Sequence, residues 1–361
     1  MKLQMTGAMN RYLSDGGTAL HVDGGEYDRV YPVWNFSRPP GATVAVGAPP
    51  PDCKHTKAKT TATFVGSASD GEFGSAAQTL RGSSTNAGGR DVDANKSWLM
   101  FDSAIVCRGF TQEDAVTTIE QSNLRGEVTY SQDGGLPHTL GSSQRSFDLS
   151  AGAVWIYHRN TGYLLPRTAN ATAHLSATIK RGSWSLLGPD AESGATPLPD
   201  NGAVALPVYD LYIEHGGRAP DAPAYSYTVL PGAAAAAMQH LAETAGGLIV
   251  SGEEAGSRYH AAVDAAAGVL LGVAWDATTI ELAGWQVAAS MPSAFVLRWL
   301  KNGTISGSAS IPDRGGELQL KVAVHGSRPE EGGGEQSCAL RFALSTGEEL
   351  GKSVLASCNL A

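Results

Sequence analysis

Residues 203–215 read AVALPVYDLYIEH, and apolar and polar side chains alternate along most of this stretch. A period of two places one row of side chains on each face of a β-strand. Residues 225–230 (YSYTVL) and residues 153–158 (AVWIYH) follow the same pattern. Clusters of Gly, Pro, Asn and Asp separate these stretches, as at residues 133–135 and 199–202. Because such clusters form tight turns, the pattern predicts an all-β fold of antiparallel sheets.

Helical periodicity is confined to one alanine-rich segment, residues 233–244, which Gly246 and Gly247 end. The strand patterns that follow this segment are shorter than those before it, which indicates a second, smaller β-domain. We therefore predict a large antiparallel β-sandwich over residues 1–245 and a smaller C-terminal β-sandwich over residues 246–361. A further stretch, SWLMFDSAIVC at residues 97–107, is predicted to form one strand of mixed burial.

The amino-acid composition indicates the class of protein and argues against some classes of partner. The chain has 361 residues, 42% of them hydrophobic and 17% charged, so it can bury a large core. The formal net charge of −9 argues against nucleic acid or an anionic membrane as a partner, because phosphate binding requires a basic surface. No stretch approaches the roughly 20 apolar residues that a membrane helix needs.

The sequence leaves two alternatives for the cellular location of the protein. Residues 1–10 lack the apolar core of a signal peptide, so no signal peptide is expected in this chain. Two interpretations remain, a cytoplasmic protein and a chain that starts inside a longer secreted one. N-glycosylation sequons favour the second interpretation mildly, and they begin at Asn35, Asn95, Asn170 and Asn302.

Cysteine and histidine usage indicates neither a metal site nor a cofactor. Cys338 and Cys358 could form a disulfide in an oxidising compartment, although we expect buried free thiols. The histidines are scattered, without the spacing that metal ligation requires. No phosphate-binding loop, dinucleotide fingerprint or nucleophile elbow is present in the sequence.

Several segments resemble, in order and approximate spacing, the central β-domain of polysaccharide lyase family 8, the hyaluronate, chondroitin AC and xanthan lyases. Each segment is weakly specific alone, and the ordered set carries the resemblance, which covers about residues 10–240 and more faintly residues 308–325. The segments are YLSDGG (12–17), YPVWNFSRPPGATV (31–44), NKSWLMFDSAIV (95–106), TTIE (117–120), GSWS (182–185), YDLYIEHG (209–216) and AYSYTVLPG (224–232).

The resemblance implies a helical toroid followed by a large galactose-mutarotase-like super-sandwich and a small β-sandwich. It also implies β-elimination across a glycosidic bond of a uronate-bearing polysaccharide, with the base that removes the C5 proton carried mainly by the toroid. The motifs begin at Tyr12, so this chain is expected to lack the toroid. The implied partners are an acidic polysaccharide (hyaluronan, chondroitin or a xanthan-like glycan) and a helical toroid domain on a longer or separate chain. The implied location is extracellular.

The candidate substrate-binding residues lie in and just before the first matching segments. Trp34 could stack on a sugar, and Arg11 and Arg38 could pair with a uronate carboxylate, with Asn35 between them. Asn10 matches a supporting Asn of the family, but the Glu expected beside it is absent, so the catalytic residues stay unknown. The alternative is structural: Trp34 packs in the sandwich core and Arg38 pairs with a loop carboxylate.

Two functions from different classes follow. The first is the β-domain portion of a polysaccharide lyase, which binds the glycan and supports the cleft and is inactive or weakly active alone because the base is missing. The alternative is a stand-alone, non-catalytic carbohydrate-binding or scaffolding β-protein derived from such a lyase. A weaker third hypothesis is a cell-surface adhesion protein without glycan chemistry.

Overall fold

A computed structural model describes residues 12–49, 62–81, 92–111, 114–184, 203–216, 225–250, 258–325 and 336–360. These residues form β-strands and one short α-helix, α1 (Met238–Glu243). The strands before that helix are β1 (Thr43–Ala45), β2 (Val65–Ser69), β3 (Gly74–Leu80), β4 (Ala94–Met100), β5 (Ile105–Thr111), β6 (Ala115–Asn123), β7 (Val128–Gln132), β8 (His138–Leu140), β9 (Gln144–Asp148), β10 (Val154–His158), β11 (Thr161–Leu165), β12 (Ala171–Ser183), β13 (Ala203–His215) and β14 (Tyr225–Pro231).

The strands after the helix are β15 (Leu248–Val250), β16 (Tyr259–Asp264), β17 (Val269–Ala274), β18 (Thr278–Leu282), β19 (Trp285–Ala289), β20 (Ser293–Trp299), β21 (Thr304–Ser310), β22 (Gly316–Val324), β23 (Gln336–Leu344) and β24 (Val354–Asn359). Short 3-10 turns lie at Tyr31–Val33, Ala235–Ala237, Ala245–Gly247 and Gly347–Glu349. The all-β fold class predicted from the sequence is confirmed.

The described strands pair into four antiparallel sheets that stack as layers. A five-stranded sheet (β1-β6-β13-β12-β9) faces a nine-stranded sheet (β2-β3-β4-β5-β14-β11-β10-β7-β8). A six-stranded sheet (β15-β16-β17-β20-β21-β24) faces a four-stranded sheet (β18-β19-β22-β23). The first pair is the large sandwich and the second pair is the smaller C-terminal one.

The core of the large sandwich lies between its two sheets. Tyr209, Leu211 and Ile213 of β13 point into it, as do Ile156 and Tyr163 from the opposite sheet. Alternation separates the two faces of β13, because the core-facing Tyr209, Leu211 and Ile213 are odd-numbered. The even-numbered Val208 and Asp210 are also buried, on the outer face. Each large apolar side chain buried in this way contributes about 1.5–3 kcal/mol to folding.

A further apolar core joins the two sandwiches. Leu99 and Trp155 of the nine-stranded sheet pack against Leu271 and Val296 of the six-stranded sheet. Serine hydroxyls cross the same seam, and Ser75 donates to the carbonyl oxygen of Phe295 at 2.8 Å. The nine-stranded sheet is thus covered on both faces. The division into domains at residues 1–245 and 246–361 stays a prediction.

One local expectation was wrong. Residues 97–107 form the hairpin of β4 and β5 rather than one strand, and the backbone N–H of Phe101 donates to the carbonyl oxygen of Ala104 at 2.8 Å to close the turn. The helix predicted at residues 233–244 is confirmed with narrower bounds, as the 3-10 turn Ala235–Ala237 that α1 (Met238–Glu243) continues. The backbone N–H of Met238 donates to the carbonyl oxygen of Ala235 and joins the two pieces.

The expectation of free thiols at Cys338 and Cys358 was also wrong, because the structure joins them in a disulfide. Cys338 lies on β23, at the edge of the four-stranded sheet, and Cys358 lies on β24, at the edge of the six-stranded sheet. Facing edge strands bring the two Cα atoms to 5.9 Å. The bond therefore closes one side of the C-terminal sandwich.

Reduction of this disulfide should destabilise the chain. The two cysteines are 20 residues apart in sequence, and a loop of that size constrains the unfolded chain by about 3 kcal/mol. Dithiothreitol should therefore lower the melting temperature by several degrees, as measured by circular dichroism. The Cys338→Ser/Cys358→Ser variant should melt at the lower temperature with or without reductant. Equal melting temperatures for the oxidised and reduced wild type would contradict the bond.

Candidate functional site

A loop on the outer face of the five-stranded sheet holds the sequence-predicted residues Trp34, Asn35 and Arg38. The loop enters through the 3-10 turn Tyr31–Val33, in which Pro32 fixes the backbone at the start. Pro32 and Val33 are buried against β12 and β13. Gly182 of β12 makes this approach possible, because a Cβ there would overlap the carbonyl oxygen of Pro32.

Trp34 is half-buried within an aromatic group on this outer face. Its ring meets Tyr27, Tyr31 and Phe36 edge-on, at centroid distances of 5.9, 4.9 and 5.7 Å. The indole Nε1–H donates to the carbonyl oxygen of Gln121 at 2.8 Å. Trp34 is therefore held in a fixed orientation outside the core of the large sandwich.

Arg38 forms a two-pronged ion pair with the buried Asp210 of β13. Its two terminal nitrogens lie 2.8 and 2.7 Å from the carboxylate oxygens, and its guanidinium lies 4.0 Å above the Tyr212 ring. The Lys180 ammonium reaches the same carboxylate at 2.6 Å. Two cations share one carboxylate, which leaves one net positive charge among these three groups.

The protonation of Asp210 follows from this geometry. Burial raises the pKa of Asp210, but the hydrogen bonds and charges of Arg38 and Lys180 outweigh it and hold the pKa below its usual value. The carboxylate is therefore ionised at neutral pH. Arg38 thus pairs with a strand carboxylate, whereas the structural alternative had placed a loop carboxylate there.

Asn35 is exposed beside this pair. Its backbone N–H donates to Gln121 Oε1 at 2.7 Å, and its side-chain oxygen accepts from the backbone N–H of Ser37 at 3.0 Å. The side-chain amide group faces solvent within a turn that its own oxygen stabilises. Asn10 and Arg11, the other two predicted residues, lie outside the described residues.

A histidine extends the polar surface across β12 and β13. His174 stacks on Tyr212 with ring centroids 4.6 Å apart, and its Nε2 lies 3.4 Å from Glu214. Partial burial lowers the pKa of His174, although Glu214 opposes the shift. We call the group Arg38, His174, Lys180, Asp210 and Tyr212 the Arg38 surface.

A buried carboxyl group lies beneath the loop. Glu120 of β6 accepts a hydrogen bond from the Tyr27 hydroxyl at 2.9 Å and one from the backbone N–H of Gln121 at 2.8 Å. Burial raises the pKa of Glu120 to about 8, even though both hydrogen bonds oppose the shift. Glu120 is therefore largely protonated at neutral pH and anchors Tyr27 without adding a full negative charge.

The sequence located the loop but missed its partners on the sheet. Asp210, Tyr212 and Glu214 occupy the outward positions of AVALPVYDLYIEH, opposite the buried Tyr209 and Leu211. The outward face of the predicted strand at residues 203–215, considered together with its inward face, would have indicated these three residues. No group of three or more His, Cys, Asp or Glu side chains within the described ranges could hold a metal ion. No described helix is long and apolar enough to span a bilayer.

Comparison with known proteins agrees with this architecture. Chondroitinase-AC of Pedobacter heparinus is 31% identical over 230 residues, which are 62% of this chain and 30% of the relative. A solved structure of chondroitinase AC lyase superimposes with a TM-score of 0.75 and 24% identity, over 97% of this chain and 48% of that chain. Paenibacillus xanthan lyase superimposes with a TM-score of 0.69 and 19% identity, over 98% of this chain and 32% of that chain.

The fold thus falls in the class of stacked β-sandwich domains found in polysaccharide lyases. The family model for the super-sandwich domain of polysaccharide lyase family 8 matches residues 2–242. The chain belongs to that family. It spans less than half the length of these relatives.

Replacing Glu120 with Gln should change how stability depends on pH. The pKa of Glu120 is raised in the folded state, so the folded chain keeps a proton that the unfolded chain loses above its usual value of 4.5. Its contribution is present at low pH and is lost as pH rises toward about 8. The contribution of Glu120 to stability should therefore fall between pH 5 and 8, by up to about 1.4 kcal/mol per pH unit. The buried His158, His215 and His260, whose pKa values are lowered, act in the opposite sense below about pH 6.5, so the contribution of Glu120 is the difference between wild type and variant.

The measurement is urea unfolding at several pH values. The unfolding free energy of wild type minus that of Glu120→Gln should decrease from about pH 5 to 8, whereas the difference between wild type and Glu127→Gln, at an exposed position, should stay constant. A Glu120→Gln curve parallel to that of the wild type would show that Glu120 is ionised in the folded chain.

Proposed function

We propose that the chain is the β-domain portion of a lyase that cleaves uronate-bearing glycans by β-elimination, and that the Arg38 surface binds the glycan. The observation that carries the proposal is the excess positive charge where Arg38 and Lys180 share Asp210. Family membership supplies the reaction class.

The shape of the surface supports an acidic sugar as ligand. Arg38 uses both terminal nitrogens to pair with Asp210, and its remaining N–H groups can each donate a single hydrogen bond to a carboxylate or sulfate. Trp34, four residues before Arg38 on the same loop, adds a half-buried aromatic ring that suits the apolar face of a sugar. Chondroitin AC lyase of Streptomyces coelicolor A3, solved with chondroitin sulphate, superimposes with a TM-score of 0.62 and 21% identity over 92% of this chain and 41% of that chain.

We infer a division of labour for the reaction. The described loop and sheet bind and orient the uronate, while the base that removes the C5 proton comes from a helical domain on a longer or separate chain. Glu120 is consistent with this division, because its buried carboxyl group lies beneath the loop and positions Tyr27 rather than facing solvent. An extracellular location is consistent with the Cys338–Cys358 disulfide.

Binding should depend on Arg38. The Arg38→Gln variant should bind a chondroitin sulphate tetrasaccharide at least about tenfold more weakly, because a charge-assisted hydrogen bond contributes about 1.5–3 kcal/mol. Isothermal titration calorimetry measures the change. The matched control is Arg298→Gln, which removes a surface arginine paired with Glu72 at 2.7 Å on the C-terminal sandwich. Equal affinities for Arg38→Gln and wild type would remove the Arg38 surface from the glycan site.

The chain by itself should not cleave the glycan at an appreciable rate. Without a base for the C5 proton, orientation of the substrate leaves the main barrier in place. The assay follows the ultraviolet absorbance of unsaturated uronate on hyaluronan, chondroitin and xanthan. Robust turnover that a His174→Gln variant abolishes would contradict the division of labour and place the base on this chain.

A further inference from the structure

A cleft of about 380 Å³ opens where the large sandwich meets the C-terminal one. Its volume falls within the range of about 300–1,000 Å³ that small-ligand sites occupy. Residues at the edge of the nine-stranded sheet form one wall, and loops beside β17, β20 and β21 form the other. Its principal side chains are Thr63, Phe64, Arg81, Trp275, Asp313 and Arg314.

The floor of the cleft is aromatic. Phe64 and Trp275 lie with their ring centroids 6.3 Å apart, and the rings are tilted by 53°. Phe64 is buried, whereas Trp275 stays partly exposed. Rings held in this way offer an apolar surface of the kind that stacks against a sugar face.

The rim of the cleft is cationic. Arg314 is paired with Asp313 at 3.1 Å, and Thr63 donates to the same carboxylate at 2.7 Å. Arg81 is exposed, and its Nη1 donates to the carbonyl oxygen of Leu80 at 2.8 Å. No carboxylate among the described residues pairs with Arg81. Two arginines and one aspartate leave one net positive charge.

We propose that this cleft is a second binding site for an acidic saccharide, with Trp275 against the sugar ring and Arg81 paired with its carboxylate or sulfate. The assignment of an acidic glycan as ligand rests on the proposed function. The cleft shares no residue with the Arg38 surface. One long glycan could therefore occupy both sites. Once one segment of the glycan is bound, the effective concentration of its remaining segments at the other site rises.

The test uses the full chain in an Arg38→Gln background, so that the remaining affinity for a chondroitin sulphate tetrasaccharide reports on the cleft. Arg81→Gln in that background should raise the dissociation constant at least about tenfold in calorimetry. Arg314→Gln should have a smaller effect, because Asp313 already neutralises that arginine. Cellotetraose, a neutral probe of the same length, should bind weakly and without dependence on Arg81.

Two controls separate this site from general effects. Arg341→Gln, at an exposed position on β23, should leave the affinity unchanged. The tetrasaccharide should change the intrinsic fluorescence in the Arg38→Gln background, and Trp275→Phe should remove that change. Melting temperatures should match, since Arg81 is exposed.

The outcomes of the two proposals are distinguishable. Loss of all binding in Arg38→Gln, or an Arg81→Gln affinity equal to that of its background, would overturn the second site while leaving the Arg38 surface in place. Unchanged affinity in Arg38→Gln together with a loss in Arg81→Gln would overturn the Arg38 surface and support the cleft.

Discussion

The nine-stranded sheet is apolar on both faces, and the rest of the structure depends on covering it. Ile156 and Tyr163 point toward the five-stranded sheet, whereas Leu99 and Trp155 point toward the six-stranded sheet. A sheet of this kind is stable in water only between two layers. The C-terminal sandwich is therefore one of its covers, and the serine hydroxyls at the seam bond to carbonyl groups that the contact removes from water.

The candidate site uses the rigidity of this stack. Asp210 lies on a strand whose neighbouring side chains, Tyr209 and Leu211, are fixed in the core, so its carboxylate has a fixed position. Arg38 is on a loop, and its ion pair with the fixed Asp210 carboxylate restricts the position of the Arg38 side chain. Its backbone is tied as well, because Thr118 donates to the Arg38 carbonyl oxygen at 2.9 Å. A buried ion pair of this type specifies geometry more than it adds stability.

The sequence predicted the fold class because the alternation in residues 203–215 and 225–230 is local and persists over whole strands. It failed at residues 97–107, where only Asp102 and Ser103 separate two apolar runs and no Gly or Pro marks the hairpin turn at Phe101–Ala104. The predicted site residues Trp34, Asn35 and Arg38 do lie together, but their partners are 80 or more residues away in sequence, as Asp210 and Gln121 show. The pairing of Cys338 with Cys358 likewise depends on how two sheets pack against each other, and a local sequence pattern does not predict that packing.

The acidic net charge and the choice of an acidic glycan are compatible because of charge spacing. Duplex DNA carries a negative charge about every 1.7 Å, and binding it requires many cations spread over a surface. A uronate-bearing glycan carries its acidic groups a sugar or more apart, so one or two well-placed arginines can meet each group. Charges separated by more than about 8 Å are largely screened at physiological ionic strength. A net charge of −9 distributed over the surface therefore repels a polyanion with closely spaced charges strongly. It repels a glycan with widely spaced acidic groups, bound at the Arg38 surface, only weakly.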